Sequence, residues 1–406
     1  MIIAVLYRRS TSSPIRKHFF PGLLLKVLSG IAVGVLYFEY YGEGDTLVYH
    51  ETASFIARAG GKSLSEFHRY FIGEPGIELL QAYPILNEPR SSFFIKIISL
   101  IYIFTSGNYW ITSVYFSLLS FTGSWYLANT IIRYERKAEL AVIISLLYFP
   151  SFVLWTSGIL KESLAWFCLA QIIACIYVYY KDGKCIPVHI VLTIVLFIIL
   201  WKIKYHYAAV LALCSIPLLL HRALLEKFSP RTTVILYIFG SLIILGILML
   251  SHPNFRPARI MNIIHENHQV MIQLSDPGHA IQFMPLSNSN LQFIVNIPVS
   301  LFGGLFMPLP WQGVNFLAIS AGIFNAILLV LFMWKGILMV KGRNMRISVL
   351  GISLSLYIVI LAILMAYTTP NFGTLERYKI AYIPFFVLWT LYNNPLVDRM
   401  LSNNKQ

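Results

Sequence analysis

Long apolar runs cut by short polar clusters set the rhythm of this chain. They fall at roughly 22–38, 109–132, 138–157, 160–180, 186–203, 206–221, 232–250, 314–334, 347–367 and 380–394. A helix needs about 20 mostly apolar residues to cross the hydrocarbon of a bilayer, and each run approaches that length. Two further runs, 93–106 and 293–310, are shorter or interrupted, the second by Pro298, Pro308 and Pro310. The pattern predicts an all-α, polytopic transmembrane bundle of about ten spans, forming one domain over 1–406.

The polar clusters between the runs supply the orientation. Basic residues collect in cytoplasmic loops, and four clusters are basic: Arg133 to Lys137, Lys181 with Lys184, Arg222 to Arg231, and Lys335 to Arg346. All four fall on one side, with both termini, only if 93–106 and 293–310 do not cross fully. The cytoplasmic side then carries 18 Lys/Arg and 5 Asp/Glu, the external side 12 of each, with Lys26 inside the first span. The two short runs become juxtamembrane or re-entrant helices. Arg8, Arg9, Arg16 and Lys17 precede the first run with no small-residue cleavage site after it, which predicts an uncleaved signal anchor.

Composition agrees. Of 406 residues, 57% are hydrophobic and 12% charged, against about 25% charged in soluble domains. That excludes a soluble globular enzyme, a disordered chain and a disulfide scaffold. The net charge of +14 sits in loops rather than in a basic, aromatic-laced soluble stretch, so it does not indicate a nucleic-acid partner. The cysteines Cys168, Cys175, Cys185 and Cys214 lack C-x-x-C spacing, and no metal site is read from them.

The external segments hold the candidate chemistry. One is the loop 39–108, with apolar positions Leu64, Phe67, Tyr70 and Phe71 that suit short helices on the outer leaflet. The other is 251–313, with His252, Arg256, Arg259, His265, His268 and His279. In Tyr41-Gly42-Glu43-Gly44-Asp45-Thr46, two glycines allow a tight turn, and the pattern predicts a helix from Thr46. Asp45 either caps that helix or serves as a general base, with Glu43 as its understudy; Tyr49 and His50 follow one turn on. The turn Phe149 to Ser163 carries Lys161 and Glu162, which either snorkel at helix starts or line the rim of a polar cavity. Trp201 to Tyr207 reads as a tight external hairpin with Lys202, Lys204 and His206, and Gly373 to Lys379 supplies Arg377, Tyr378 and Lys379. Arg and Lys are the usual partners of phosphate oxygens, so a cation-lined external chamber facing carboxylates suggests a lipid-phosphate substrate.

These motifs resemble the GT-C superfamily of integral-membrane glycosyltransferases, in its protein-mannosyltransferase and aminoarabinose-transferase-like branch. The resemblance is best over 22 to about 200: a first span, a long external loop opening with Gly44-Asp45, Tyr49 and Ala53, surface helices, and the turn ending in Lys161-Glu162-Ser163. Arg377-Tyr378 with Pro384 is similar to the entry of the last span in related polysaccharide enzymes. The resemblance implies a sugar donor on a polyprenyl-phosphate carrier, inverting transfer to a hydroxyl of a glycan, lipid or protein acceptor, and Asp45 as base. Relatives often carry paired acidic residues where Thr46 follows Asp45 here. Lys202, Lys204, His206, Arg377 and Lys379 would hold the carrier phosphate, and a divalent cation could share that task, although no ligand set stands out. The expected location is the bacterial inner (plasma) membrane, with the site on the external face.

Two other classes stay open. An O-antigen polymerase or ligase type would use polyprenyl diphosphate and external arginines such as Arg256, Arg259 and Arg377, with Met307-Pro308-Leu309-Pro310-Trp311 nearby. A lipid-linked glycan flippase or transporter would place its charges midway along spans, whereas these lie at span ends, and no internal repeat is visible.

Overall fold

The computed structural model describes residues 2–9, 13–62, 65, 68, 70–71, 77–184, 186–225, 228, 230–276, 278–284, 290–313, 315–340 and 348–394. Among them the chain is helical throughout, with one isolated bridge, Ala280 to Asn371. Buried backbone polar groups must find partners, and in lipid a helix satisfies its own. Local chemistry sets where the helices begin. Proline occupies the first helical position at Pro89, Pro187 and Pro257, where its missing N–H costs nothing. Ser348 and Asn371 accept hydrogen bonds from the amides of Gly351 and Thr374.

The principal helices are α1 (Phe19–Val35), α2 (Asp45–Lys62), α3 (Pro89–Thr105), α4 (Tyr109–Tyr134), α5 (Lys161–Asp182), α6 (Pro187–Leu220), α7 (Pro230–Ser251), α8 (Pro257–Gln273), α9 (Asn290–Phe306), α10 (Phe316–Val340), α11 (Val349–Thr368), α12 (Phe372–Tyr378) and α13 (Ile383–Leu391). They fall into two compact units. The first comprises Met1–Asn129, Val153–Ala174 and Pro187–Ala208; the second comprises Thr130–Phe152, Cys175–Ile186 and Ala209–Gln406. In the first, α2 lies along α3, and in the second, α9 lies along α11.

Six helices are long and apolar enough to cross a membrane, or seven if the bent pair α3 and α4 counts as one span. This makes the chain an integral membrane protein with fewer uninterrupted spans than the ten expected. The reasons are local. Run 138–157 is split into Glu139–Ile143, a wide turn Ile144–Tyr148, and Pro150–Trp155; Phe149 is extended (φ −63°, ψ 114°), as a residue before proline tends to be. Run 380–394 contributes only the nine residues of α13, about 14 Å at 1.5 Å per residue. Run 93–106 becomes α3, which meets α4 at 117° across Ser106 and Gly107, both at positive φ. Pro298 lies inside α9, and the interruption of 293–310 falls after Phe306. Within 39–108, α2 and Ile77–Ala82 are helical, as are Tyr70 and Phe71, whereas Leu64, Phe67 and Cys185 lie outside the described residues.

The 34-residue α6 is helical except at Lys204 (φ −142°, ψ 68°). The regular helix is broken at Lys204, within the 201–207 stretch where a tight hairpin was expected.

Candidate functional site

The first unit gathers charge at the start of three helices. Gly42 and Gly44 both sit at positive φ (68° and 130°), and a Cβ on Gly44 would lie 2.5 Å from the Tyr37 ring, so only glycine fits. This turn delivers Asp45 as the exposed first residue of α2, one residue earlier than expected. The amides of Leu47 and Val48 bond the carbonyl of Gly44. Buried Thr46 fixes the position: its hydroxyl donates to the carbonyl of Ile159 (2.9 Å) and lies 3.0 Å from the Tyr109 hydroxyl. The N-terminus of α2 is thereby tied to the turn that leads into Lys161.

Lys161 opens α5 over the ring of Tyr49, 5.2 Å from its centroid. Tyr49 follows Asp45 by four residues, on the same helix face, and the Lys161 ammonium lies within electrostatic reach of Asp45. It also donates to Ser91 Oγ (2.6 Å) and pairs with Glu88 Oε2 at 3.5 Å. Glu88 Oε1 in turn pairs with Arg90 Nη2 at 2.7 Å, and Ser91 donates to Glu88 Oε2. Partial burial pushes the Glu88 carboxyl up, but the Ser91 hydrogen bond and the charges of Lys161 and Arg90 together outweigh it and leave it below the usual carboxylate value.

Behind this cluster, Lys204 pairs with Glu162 at 3.0 Å, with side chains 5% and 0% exposed. The break in α6 thus places its cation in a buried ion pair. His206 shares the electrostatic field of Lys204, Arg90 and Glu162. Lys202, two residues before Lys204, is exposed over the Phe93 ring (5.7 Å) and beside Lys96. His50 Nδ1 lies 2.6 Å from the Tyr102 hydroxyl, and burial lowers its pKa against the opposing charge of Glu51. Glu43 is exposed on the glycine turn.

Arg377, Tyr378 and Lys379 belong to the second unit. There Glu376 Oε1 accepts from Asn325 (2.8 Å) and Lys379 (2.7 Å), and Oε2 accepts from Ser151 (2.8 Å). Lys379 also donates to the carbonyl of Met307. Arg377 is buried with its guanidinium 5.9 Å from the Tyr378 ring centroid. Arg256 and Arg259 are exposed at the start of α8 and in its first turn.

Glu88, Arg90 and Ser91 escaped the sequence reading as site residues, as did Asn325. One signal for the first three was present: charge on both sides of Pro89, at a helix start opening an apolar run. Among the described residues, no group of three or more His, Cys, Asp or Glu could hold a metal ion. Comparison with family models, with curated proteins and with solved structures finds no match for this chain.

Proposed function

We propose that this chain is an inverting glycosyltransferase of the GT-C type, moving a sugar from a polyprenyl-phosphate carrier to a hydroxyl acceptor at the external face of the bacterial inner membrane. The observation that carries the reading is the junction of α2 and α5. An exposed carboxylate, Asp45, is tied through Thr46 to the turn that leads into the buried cation Lys161. Its topology keeps ten passes with both termini cytoplasmic, counting α6 as two and the broken segments 139–155 and 379–391 as one each.

Asp45 takes the proton of the acceptor hydroxyl as that oxygen forms a bond to the anomeric carbon. The bond from that carbon to the carrier phosphate breaks on the opposite face, and the phosphate leaves with the electron pair. Fixed cations aimed at the departing oxygen lower the barrier because they need no reorganisation during the reaction. Since Lys204 is committed to Glu162, Lys161 and Arg90 are the cations best placed for that task.

The decisive experiment offers purified protein radiolabelled sugars on polyprenyl monophosphate and on polyprenyl diphosphate. Consumption of the monophosphate by the wild type supports the reading. Consumption of the diphosphate alone points to a polymerase or ligase, and consumption of neither removes the transferase. For orientation, Ser65→Cys labels with an impermeant external reagent in intact cells while Arg136→Cys does not; the reverse overturns the external site.

A further inference from the structure

The first turn of α3 holds a carboxylate in the grip of three donors. Arg90 faces one oxygen of Glu88 (2.7 Å), while Lys161 (3.5 Å) and the Ser91 hydroxyl face the other. Neither cation relies on Glu88 for its place. Arg90 lies over the Tyr205 ring at 5.8 Å, and Lys161 lies over Tyr49 at 5.2 Å while also bonding Ser91; such cation–ring contacts hold a side chain without an anion. Glu88 is the member that an anion can replace. Its side chain is 37% exposed, and it precedes α3 without capping that helix's amides. Were it to turn outward, Lys161 would keep Asp45 as a nearby counter-charge.

We propose that Glu88 is an internal counter-anion that occupies the Arg90–Ser91–Lys161 fork until a phosphate monoester displaces it. Guanidinium and ammonium donors that bridge two carboxylate oxygens present the same pattern to two phosphate oxygens. A phosphate monoester carries up to about two negative charges near neutral pH against one for Glu88, so it wins the fork, and the released carboxylate, already 37% exposed, turns into water. The displacement makes ligand affinity proportional to the fraction of fork that Glu88 leaves open. The identity of the ligand as a lipid carrier rests on the transferase reading; the displacement itself does not.

The test measures binding to the full chain in nanodiscs, with farnesyl phosphate, inorganic phosphate and uncharged farnesol as probes and thermal unfolding as the check on folding. With the fork about nine-tenths occupied by Glu88, Glu88→Gln binds farnesyl phosphate about tenfold more tightly than the wild type. Arg90→Gln, at a half-buried position, binds it about tenfold more weakly, and farnesol affinity is the same in all three proteins. Tightening confined to farnesyl phosphate assigns the fork to a lipid phosphate. Equal tightening of inorganic phosphate keeps the displacement and overturns the lipid as its source. Unchanged or weaker binding by folded Glu88→Gln, or farnesol moving in parallel, overturns the proposal. Tightening in a protein that transfers no sugar leaves the displacement standing without the transferase, and sugar transfer without tightening does the reverse.

Discussion

In the second unit both oxygens of Glu376 are taken, by Asn325, Lys379 and Ser151, and Lys379 spends a further donor on the carbonyl of Met307. In the first unit Arg90 and Lys161 share the carboxylate of Glu88, Lys204 pairs with Glu162, and exposed Asp45 lies within electrostatic reach of Lys161. Both clusters set a buried lysine against a glutamate, but Glu376 is buried whereas Glu88 and Asp45 reach solvent. A buried network fixes the packing of the segments it joins, and a cluster that reaches solvent is suited to receiving an anion. Charge density therefore says little about function here; access to solvent says more.

The largest effect expected from this contrast is on turnover. Asp45→Asn keeps the size of the side chain but cannot accept a proton, so sugar transfer falls at least about 100-fold while donor binding persists; Glu43→Gln falls less. Radiolabel transfer assays decide, and near-normal turnover in Asp45→Asn places the base elsewhere. Next in size is stability in the buried cluster. Glu376→Ala strands buried Lys379 and costs about 3–5 kcal/mol, read as a lowered unfolding temperature in detergent, whereas Glu88→Ala costs less, because Lys161 keeps Ser91 and the nearby charge of Asp45. A comparable cost for both would erase the distinction between the clusters.

A third comparison separates two lysines only two positions apart. Lys204→Met leaves buried Glu162 without its ion-pair partner and destabilises by about 3–5 kcal/mol. Lys202→Ala, at an exposed site, stays within about 0.5 kcal/mol and leaves donor affinity unchanged. The smallest effect concerns acid. The folded pKa of Glu88 lies below its ordinary value, so its contribution to stability is present above the unfolded carboxylate range and fades as pH falls through the folded value. Glu88→Gln removes that part of the acid dependence, and superimposable pH–stability curves for the two proteins refute it.

Much of this was written locally in the chain. Apolar run length located α5, α7, α10 and α11, and the two glycines around Glu43 announced the turn that presents Asp45. Pro150 also signalled the break in run 138–157, but hydropathy alone reads through a proline. The pairings were not legible. Lys161 meets residues 70 and more positions away in Ser91 and Glu88, and Lys204 meets Glu162. No local periodicity encodes which charged turn faces which, because that is decided by how whole helices pack. Run 201–207 showed its lysines, but the burial that separates Lys204 from Lys202 comes with the break of the helix at Lys204.

The buried pair of Lys204 and Glu162 has a consequence for how the protein is made. A chain emerging N-terminus first presents Glu162 about forty residues before Lys204 has been synthesised. Until then the start of α5 lacks the ammonium that faces Glu162 in the finished fold, and a buried carboxylate deprived of its ion-pair partner is costly. A nascent chain that stops short of Lys204 therefore holds α5 less firmly than one that includes it.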